Sequence, residues 1–402
     1  MGRWGMAAPG SWARLATIMI VGGVLAAGCT STAQERGASG GGDGSGDTTR
    51  PAQPAELDLS VRQGADDVAP GRAFTATVQH GTITEASLVG EDGTVVDGGT
   101  TQQDTAWRAS EPLGYGKTYT LKATAEGDDG ETVTEKATFT TLVPQGQAEV
   151  YLNVQEGQKV GVGMPLVFTF STDVPDRKLA ERALRVRTDN DTEGAFRWRS
   201  DSEVTWRPKA YWEPGTKVTV DAAIYGKPLG GGLYGAEDQQ ASLEIGRKVT
   251  AIADGKSHHM SVFVDDERVR RMPISMGKPS SPTPNGTYTV MSEHNGYTMD
   301  SSTYGVPTDS GDGYRLWVEY ATRMSYSGIF YHSAPWSVGY QGNTNTSHGC
   351  INLSTENAAW LMKNSKPGDL ITVRNAGGQT LEPTDGWSVW QMSWDEWTSE
   401  DA

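Results

Sequence analysis

The chain has 402 residues, 36% hydrophobic and 21% charged. These are the proportions of soluble globular protein, at a length that admits about two to four domains. A formal net charge of −16 excludes nucleic acid as a partner, because phosphate binding needs a basic surface. No phosphate-binding loop or dinucleotide fingerprint occurs.

Residues 1–29 read as an export signal. Arg3 and Arg14 give a positive start, and residues 15–25 are apolar but short for a membrane span. Ala26-Ala27-Gly28-Cys29 is followed by Thr30-Ser31-Thr32, and small residues before a cysteine resemble a bacterial lipobox. The expectation is an extracytoplasmic protein, lipid-anchored through Cys29 to the outer face of the cell membrane. The rival reading is an ordinary cleaved signal in which Cys29 is incidental. Residues 30–54 are Gly, Ser, Asp, Thr and Pro with almost no apolar content, the composition of a disordered tether.

The fold class expected beyond the tether is mainly β. From 55 to 145, short alternating runs such as Ala73 to Gln79, Thr118 to Thr124 and Glu135 to Thr141 are separated by turn clusters, which predicts an immunoglobulin-like sandwich. From 146 to 250 the pattern recurs. Pro165 to Phe170 and Lys217 to Ala222 read as strands, Ala195 to Trp198 and Glu203 to Pro208 as a hairpin, and Leu179 to Leu184 as a short helix or turn. Trp198, Trp206 and Trp212 could present a carbohydrate-binding face, but aromatics in strands usually pack into cores.

Residues 251–375 form a third, β-rich region. Lys248 to Ala253, His259 to Val264, Val269 to Met276, Leu316 to Tyr320, Gly328 to His332 and Asp369 to Val373 read as strands. Ser354 to Asn364 reads as the one main helix, capped by Ser354 or Thr355. In residues 376–402, Trp387, Trp390, Trp394 and Trp397 recur at spacings of three, four and three. A helix would put all four on one face, and the segment is expected to fold back onto the third region.

The chemistry concentrates at Ser347-His348-Gly349-Cys350-Ile351-Asn352. With Cys29 in the signal, Cys350 is the only other cysteine, and His332 precedes Ser347 with fourteen residues between. An unpaired thiol near two of only six histidines points to an activated nucleophile rather than a disulfide. An imidazole can take the thiol proton and hold the thiolate as an ion pair. Gly349 permits unusual backbone angles, and N–H groups beside it could stabilise an oxyanion. No Cys-x-x-Cys or His-Glu-x-x-His spacing exists, so neither a metal nor a cofactor is expected.

These six residues, with His332 upstream, match the signature of the L,D-transpeptidase (YkuD-type) catalytic domain. The stretches 299–305, 321–328 and 332–337 are similar to those of mycobacterial and other actinobacterial members, as are the lipobox, the two sandwiches and the Trp-rich tail. The resemblance implies that Cys350 is the nucleophile and His332 the general base, oriented by the carbonyl of Ser333. It implies an oxyanion hole from the N–H groups of His348, Gly349 and Cys350, and lid residues Tyr304 and Tyr314. Met299, Ser327, Trp336, Ser347 and Asn352 would contact substrate. The implied partners are peptidoglycan stem peptides, a donor tetrapeptide and an acceptor stem, joined through diaminopimelate by a 3-3 crosslink with release of D-Ala. Carbapenem β-lactams are the implied inhibitors. The alternatives are an L,D-carboxypeptidase, with water as acceptor, and a non-enzymatic wall-binding scaffold.

Overall fold

The structure, a computed structural model, describes residues 52–399 except Gln102 and Asp312. The signal, Cys29 and most of the tether lie outside the described residues. The architecture is mainly β, with three short α-helices among the described residues.

The first sandwich packs the sheet Glu56–Leu59, Thr75–Gln79, Ala106–Ala109, Gly98–Thr100 against a five-stranded one centred on Thr118–Gly127. That central strand buries every second residue, as the two-residue period of a pleated strand requires. Phe74, Leu88, Leu121 and Phe139 fill the core, with Phe74 and Phe139 stacked at 5.2 Å.

The second sandwich pairs Val150–Leu152, Leu166–Phe170, Glu203–Pro208 and Gly194–Trp198 in one sheet. Gln158–Val160, Gln239–Ile245, Lys217–Ala222 and Leu184–Thr188 form the other. The expected hairpin forms with Phe196 opposite Trp206. The helix in this sandwich is Arg177–Glu181, capped by the Asp176 carboxylate. Trp198, Trp206 and Trp212 are core residues, not a binding face: all three are buried, Trp206 stacks on Trp212 at 5.3 Å, and the Trp212 indole donates to Met164 O.

The third domain starts with the strand Val249–Asp254. A five-stranded sheet (Glu267–Pro273, His259–Val264, Val249–Asp254, Leu370–Arg374, Gly286–Thr289) packs near a four-stranded one (Ser292–Asp300, Arg315–Arg323, Phe330–Ser333, Ile351–Leu353). Met260, Met272, Met276, Tyr288, Tyr331, Ile351 and Leu353 share their core with Ala358 and Leu361 of the helix Thr355–Asn364. Ser354 caps that helix by accepting from Asn357 N–H, which locks the chain direction just beyond Leu353.

The second sandwich and third domain meet closely. Gly161 and Gly163 donate to the carbonyls of Pro367 and Gly368. A Cβ on Gly161 would sit 2.3 Å from the backbone of Gly368 and Asp369, so only glycine fits. Leu370 lies in the core cluster of the second sandwich.

The tail departs from expectation in shape, and it packs on the second sandwich as well as on the third domain. It is not one helix: a 3-10 turn, Val389–Gln391, precedes a five-residue helix, Trp394–Thr398. It is anchored on the second sandwich. The buried Arg207 guanidinium lies 5.0, 5.5 and 4.9 Å from the rings of Trp390, Trp394 and Trp397 and donates to the carbonyls of Met392 and Ser393. Arg197 and Arg199 bind further tail carbonyls, and Trp387 enters the sandwich core. The carbonyls are satisfied by arginine donors from the sandwich, so the helical stripe suggested by the spacing gives way to an arginine-aromatic clamp. On the third domain, Asn285 donates to the carbonyls of Gly378 and Gln379 and accepts from Leu381 N–H, Gln391 donates to Thr287 O, and Asp385 accepts from Ser327.

Candidate active site

A cleft of about 340 Å³ opens on the four-stranded sheet, lined by Met299, Tyr314, Leu316, His332, Trp336, Ser337, Tyr340, Thr346, Ser347, His348, Cys350 and Asn352. Its two reactive groups come from adjacent parallel strands. His332 lies in Phe330–Ser333, opposite Asn352 of Ile351–Leu353, and Cys350 immediately precedes the second strand.

The His332 ring is buried, and its Nδ1 lies 2.9 Å from the carbonyl oxygen of Ser333. A carbonyl only accepts, so Nδ1 carries the proton and Nε2 carries the lone pair. The Ser333 hydroxyl bonds Thr355 Oγ1 at 2.7 Å, tying that carbonyl's residue to the helix. Cys350 is buried, and its Sγ lies 3.5 Å from Gly328 O. Burial pushes the Cys350 thiol up to about 11, only partly offset by the Phe330 backbone and the Arg323 charge. Burial takes the His332 imidazole down to about 4, against the opposing Ser333 carbonyl. Burial thus disfavours the charged form of each group taken alone.

The motif turn is held from inside. Ser347 Oγ donates to Cys350 O at 2.6 Å and accepts from Gly349 N–H at 3.1 Å. Gly349 has φ +125°, and a Cβ there would meet Ile329 Cδ1 at 3.0 Å, so its conformation requires glycine. Its N–H is committed to Ser347 rather than to an oxyanion. The buried Thr283 hydroxyl donates to Gly349 O at 2.7 Å and accepts from Gly277 N–H at 3.0 Å. His348 stands exposed at the mouth, its Nε2 2.9 Å from Lys278 Nζ and its ring 5.5 Å from Tyr314.

The structure brings together most of the residues singled out in the sequence. Met299 is buried in the wall beside Cys350 and Phe330. Trp336 is half exposed, its ring 6.1 Å from that of His332. Asn352 is buried, its backbone paired with Ser275. Ser327 is not part of the lining: its N–H and hydroxyl both bond the Asp385 carboxylate of the tail, at 2.8 and 2.5 Å. Tyr304 ends the 3-10 turn Ser301–Tyr304, and its side chain lies outside the described residues. The sequence reading missed Lys278 and Thr283, whose nearest signals are the turn residues of Lys278 to Asn285. It also missed Leu316, Ser337, Tyr340 and Thr346 of the lining.

Comparison with known proteins gives the chain its family. A bacterial Ig domain family matches residues 65–228, and an L,D-transpeptidase catalytic domain family matches residues 248–373. L,D-transpeptidase 2 of Mycobacterium tuberculosis is 43% identical over 86% of this chain and 85% of its own length. The chain belongs to the L,D-transpeptidase family. L,D-transpeptidase 5 of the same species is 34% identical over 88% of this chain and 78% of its own. A solved L,D-transpeptidase in complex with imipenem is 40% identical, covering 58% of this chain and 100% of its own at a TM-score of 0.49. Within this L,D-transpeptidase the family match spans the cleft, the His332 strand and the Cys350 turn.

Proposed function

We propose that this transpeptidase works through a Cys350 thioacyl-enzyme on peptidoglycan stems. The observation that carries the reading is the His332 imidazole, fixed by Ser333 with its Nε2 lone pair, in the same buried cleft wall as the Cys350 thiol. The Cys350 proton passes to His332 Nε2 as Sγ attacks the carbonyl that joins the L-centre of diaminopimelate to D-Ala. The N–H of Cys350 supports the oxyanion, since Gly349 N–H is held by Ser347. The C–N bond then breaks, the proton returns to the D-Ala amine, and D-Ala leaves. In the second step the side-chain amine of an acceptor diaminopimelate attacks the thioester. His332 takes the amine proton, the C–S bond breaks, and the thiol is restored with a 3-3 crosslink formed.

Burial of both groups supports this order, because a thiol at about 11 reacts only when its base is beside it and substrate has displaced water. The same thiol is the proposed site of carbapenem acylation. Incubating the protein with a diaminopimelate-containing tetrapeptide stem and weighing the products tests the reading. A crosslinked dimer with loss of one D-Ala supports it. Tripeptide alone makes the enzyme an L,D-carboxypeptidase, and no product with Cys350 unmodified by a carbapenem makes the chain a scaffold.

The tether and Cys29 extend the proposal to an extracytoplasmic enzyme held at the membrane by lipid. A cell fraction in which Cys29→Ala still partitions with the membrane would overturn that part.

A further inference from the structure

We infer that Asp385, in the tail, is a positioning residue for the nucleophile: it clamps the turn at 324–329 so that Gly328 O holds the Cys350 thiol in one orientation. The inference rests on the proposed role of Cys350, while the contacts that carry it stand apart from that role. The turn joins the strand Arg315–Arg323 to Phe330–Ser333, the strand that carries His332. It also supplies surroundings for the sulfur. Gly328 O lies 3.5 Å from Cys350 Sγ and accepts the thiol proton. Two residues on, the Phe330 backbone favours the thiolate. A shift of this turn therefore moves both groups at once.

The tip of the turn, Tyr326 and Ser327, is exposed, and the tail reaches it. Ser327 N–H donates to Asp385 Oδ1 at 2.8 Å, and Ser327 Oγ donates to Oδ2 at 2.5 Å. With its proton spent there, Ser327 Oγ is the acceptor in its 2.9 Å bond with Ser325 Oγ, so the Ser325 hydroxyl donates. The buried Ser325 Oγ in turn accepts from Ile329 N–H at 3.0 Å. That N–H belongs to the same peptide unit as Gly328 O. A peptide unit is planar and trans, so its N–H and C=O point in opposite directions. Ser325, on one side of the unit, thereby aims the carbonyl on the other side at Cys350.

The tail is itself braced from the second sandwich. The Arg199 side chain is only 6% exposed, and it donates to the carbonyls of Gly386 and Pro383 at 2.8 and 3.3 Å, on either side of Asp385. A Cβ on Gly386 would stand 2.9 Å from Ser325 Cα, so the tail backbone lies directly against the turn. The path from sandwich to sulfur is therefore Arg199, the tail, Asp385, Ser327, Ser325 and the Gly328 carbonyl.

The test uses the full chain carrying Cys29→Ser, in which Cys350 is the only thiol. The infrared S–H band moves to lower wavenumber when a thiol donates, and so reports the bond to Gly328 O. Acylation by imipenem, followed by mass, reports reactivity, and Tm is recorded alongside. In Asp385→Ala the band moves to higher wavenumber. The saturating acylation rate falls about tenfold to 100-fold, the cost of misplacement on the ångström scale, while the half-saturating imipenem concentration stays in place. Asp385→Asn keeps an oxygen for Ser327 N–H and a polar atom for Ser327 Oγ, and recovers most of the rate. Ser327→Ala keeps the backbone bond to the tail, moves both readouts in the same direction by less, and decides the matter if Asp385→Ala does not fold. Wild-type band and rate in both alanine variants would overturn the inference. So would a lower Tm with the band in place, the result of a tether that only stabilises. A wild type that imipenem does not acylate would instead sink the transpeptidase reading, so the two failures are distinct.

Discussion

His332 and Asn352 face each other across parallel strands, and both line one cleft with Cys350. The pairing fixes the distance between base and nucleophile through backbone hydrogen bonds rather than through side-chain flexibility. Removing either reactive group should therefore leave the fold intact. Cys350→Ala abolishes crosslinking, and His332→Ala lowers kcat/KM by about 100- to 10,000-fold, the range for loss of a general base. Steady-state kinetics with unchanged circular dichroism checks both. Retained turnover in either variant would refute the assignment.

Burial of the pair sets the pH behaviour. The reactive form has neutral His332, present above about 4, and Cys350 as thiol, present below about 11. The pH profile of Cys350 acylation should be flat through neutrality, with its acid limb near 4 rather than 6.5. Stability follows the same signs. Unfolded histidine binds a proton at 6.5 and the folded ring resists until about 4, so the unfolded state holds more protons in that window. Stability is lost as pH falls through it, by about 3 kcal/mol at the acid end. His332→Gln should flatten this part of the Tm-against-pH curve.

Thr283 spans two backbone groups, donating to Gly349 O and accepting from Gly277 N–H. Thr283→Val leaves both buried and unpaired, a cost of about 1–3 kcal/mol each. The expected result is a lower Tm together with slower Cys350 acylation, and Thr283→Ser recovers both. Acylation at the wild-type rate in Thr283→Val would show that the clamp does not hold the motif.

Asp369 is buried at the junction with the second sandwich. Its Oδ2 accepts from Lys366 N–H, and Oδ1 has no hydrogen-bond partner among the described residues. Burial raises its carboxyl to about 8, with Lys366 and Arg247 opposing and Glu293 adding to the rise. A raised carboxyl favours the protonated folded state, so its contribution is present at low pH and lost as pH rises through about 8. Asp369→Asn should raise Tm by about 2 °C or more at pH 9, by less at pH 5, and little at pH 3, below the unfolded carboxyl value. A variant less stable at both pH values would contradict this.

Arg207 holds the tail with three indoles and two carbonyls. Arg207→Ala should expose the segment around residues 387–399 to proteolysis and lower Tm by several degrees. Arg207→Lys should not restore it, because a compact ammonium cannot stack against the indoles as the planar guanidinium does. Hydrogen exchange across the tail gives the readout.

The contiguous motif at 347–352 was legible because the turn builds most of itself, with Ser347 bonding both Gly349 and Cys350. Lys278 and Thr283 were not legible, since they reach the motif from 70 and 66 residues away and no spacing rule reports such contacts. The long strand Ser292–Asp300 also escaped notice. Its residues are mostly half-buried and give no clear alternation. It is a strand because Arg315–Arg323 pairs along nearly its whole length. The tryptophan spacing was seen, but its packing depended on Arg207, a sandwich residue that the tail's own pattern does not reveal. Ser327 was expected in the pocket, and the tail carboxylate of Asp385 claims it instead.

Leu370 and Trp387 complete the core of a sandwich whose last strand, Gln239–Ile245, ends well before them. A chain cut between residues 245 and 370 would therefore leave that core short of two large apolar side chains, so the second sandwich is not a self-sufficient unit.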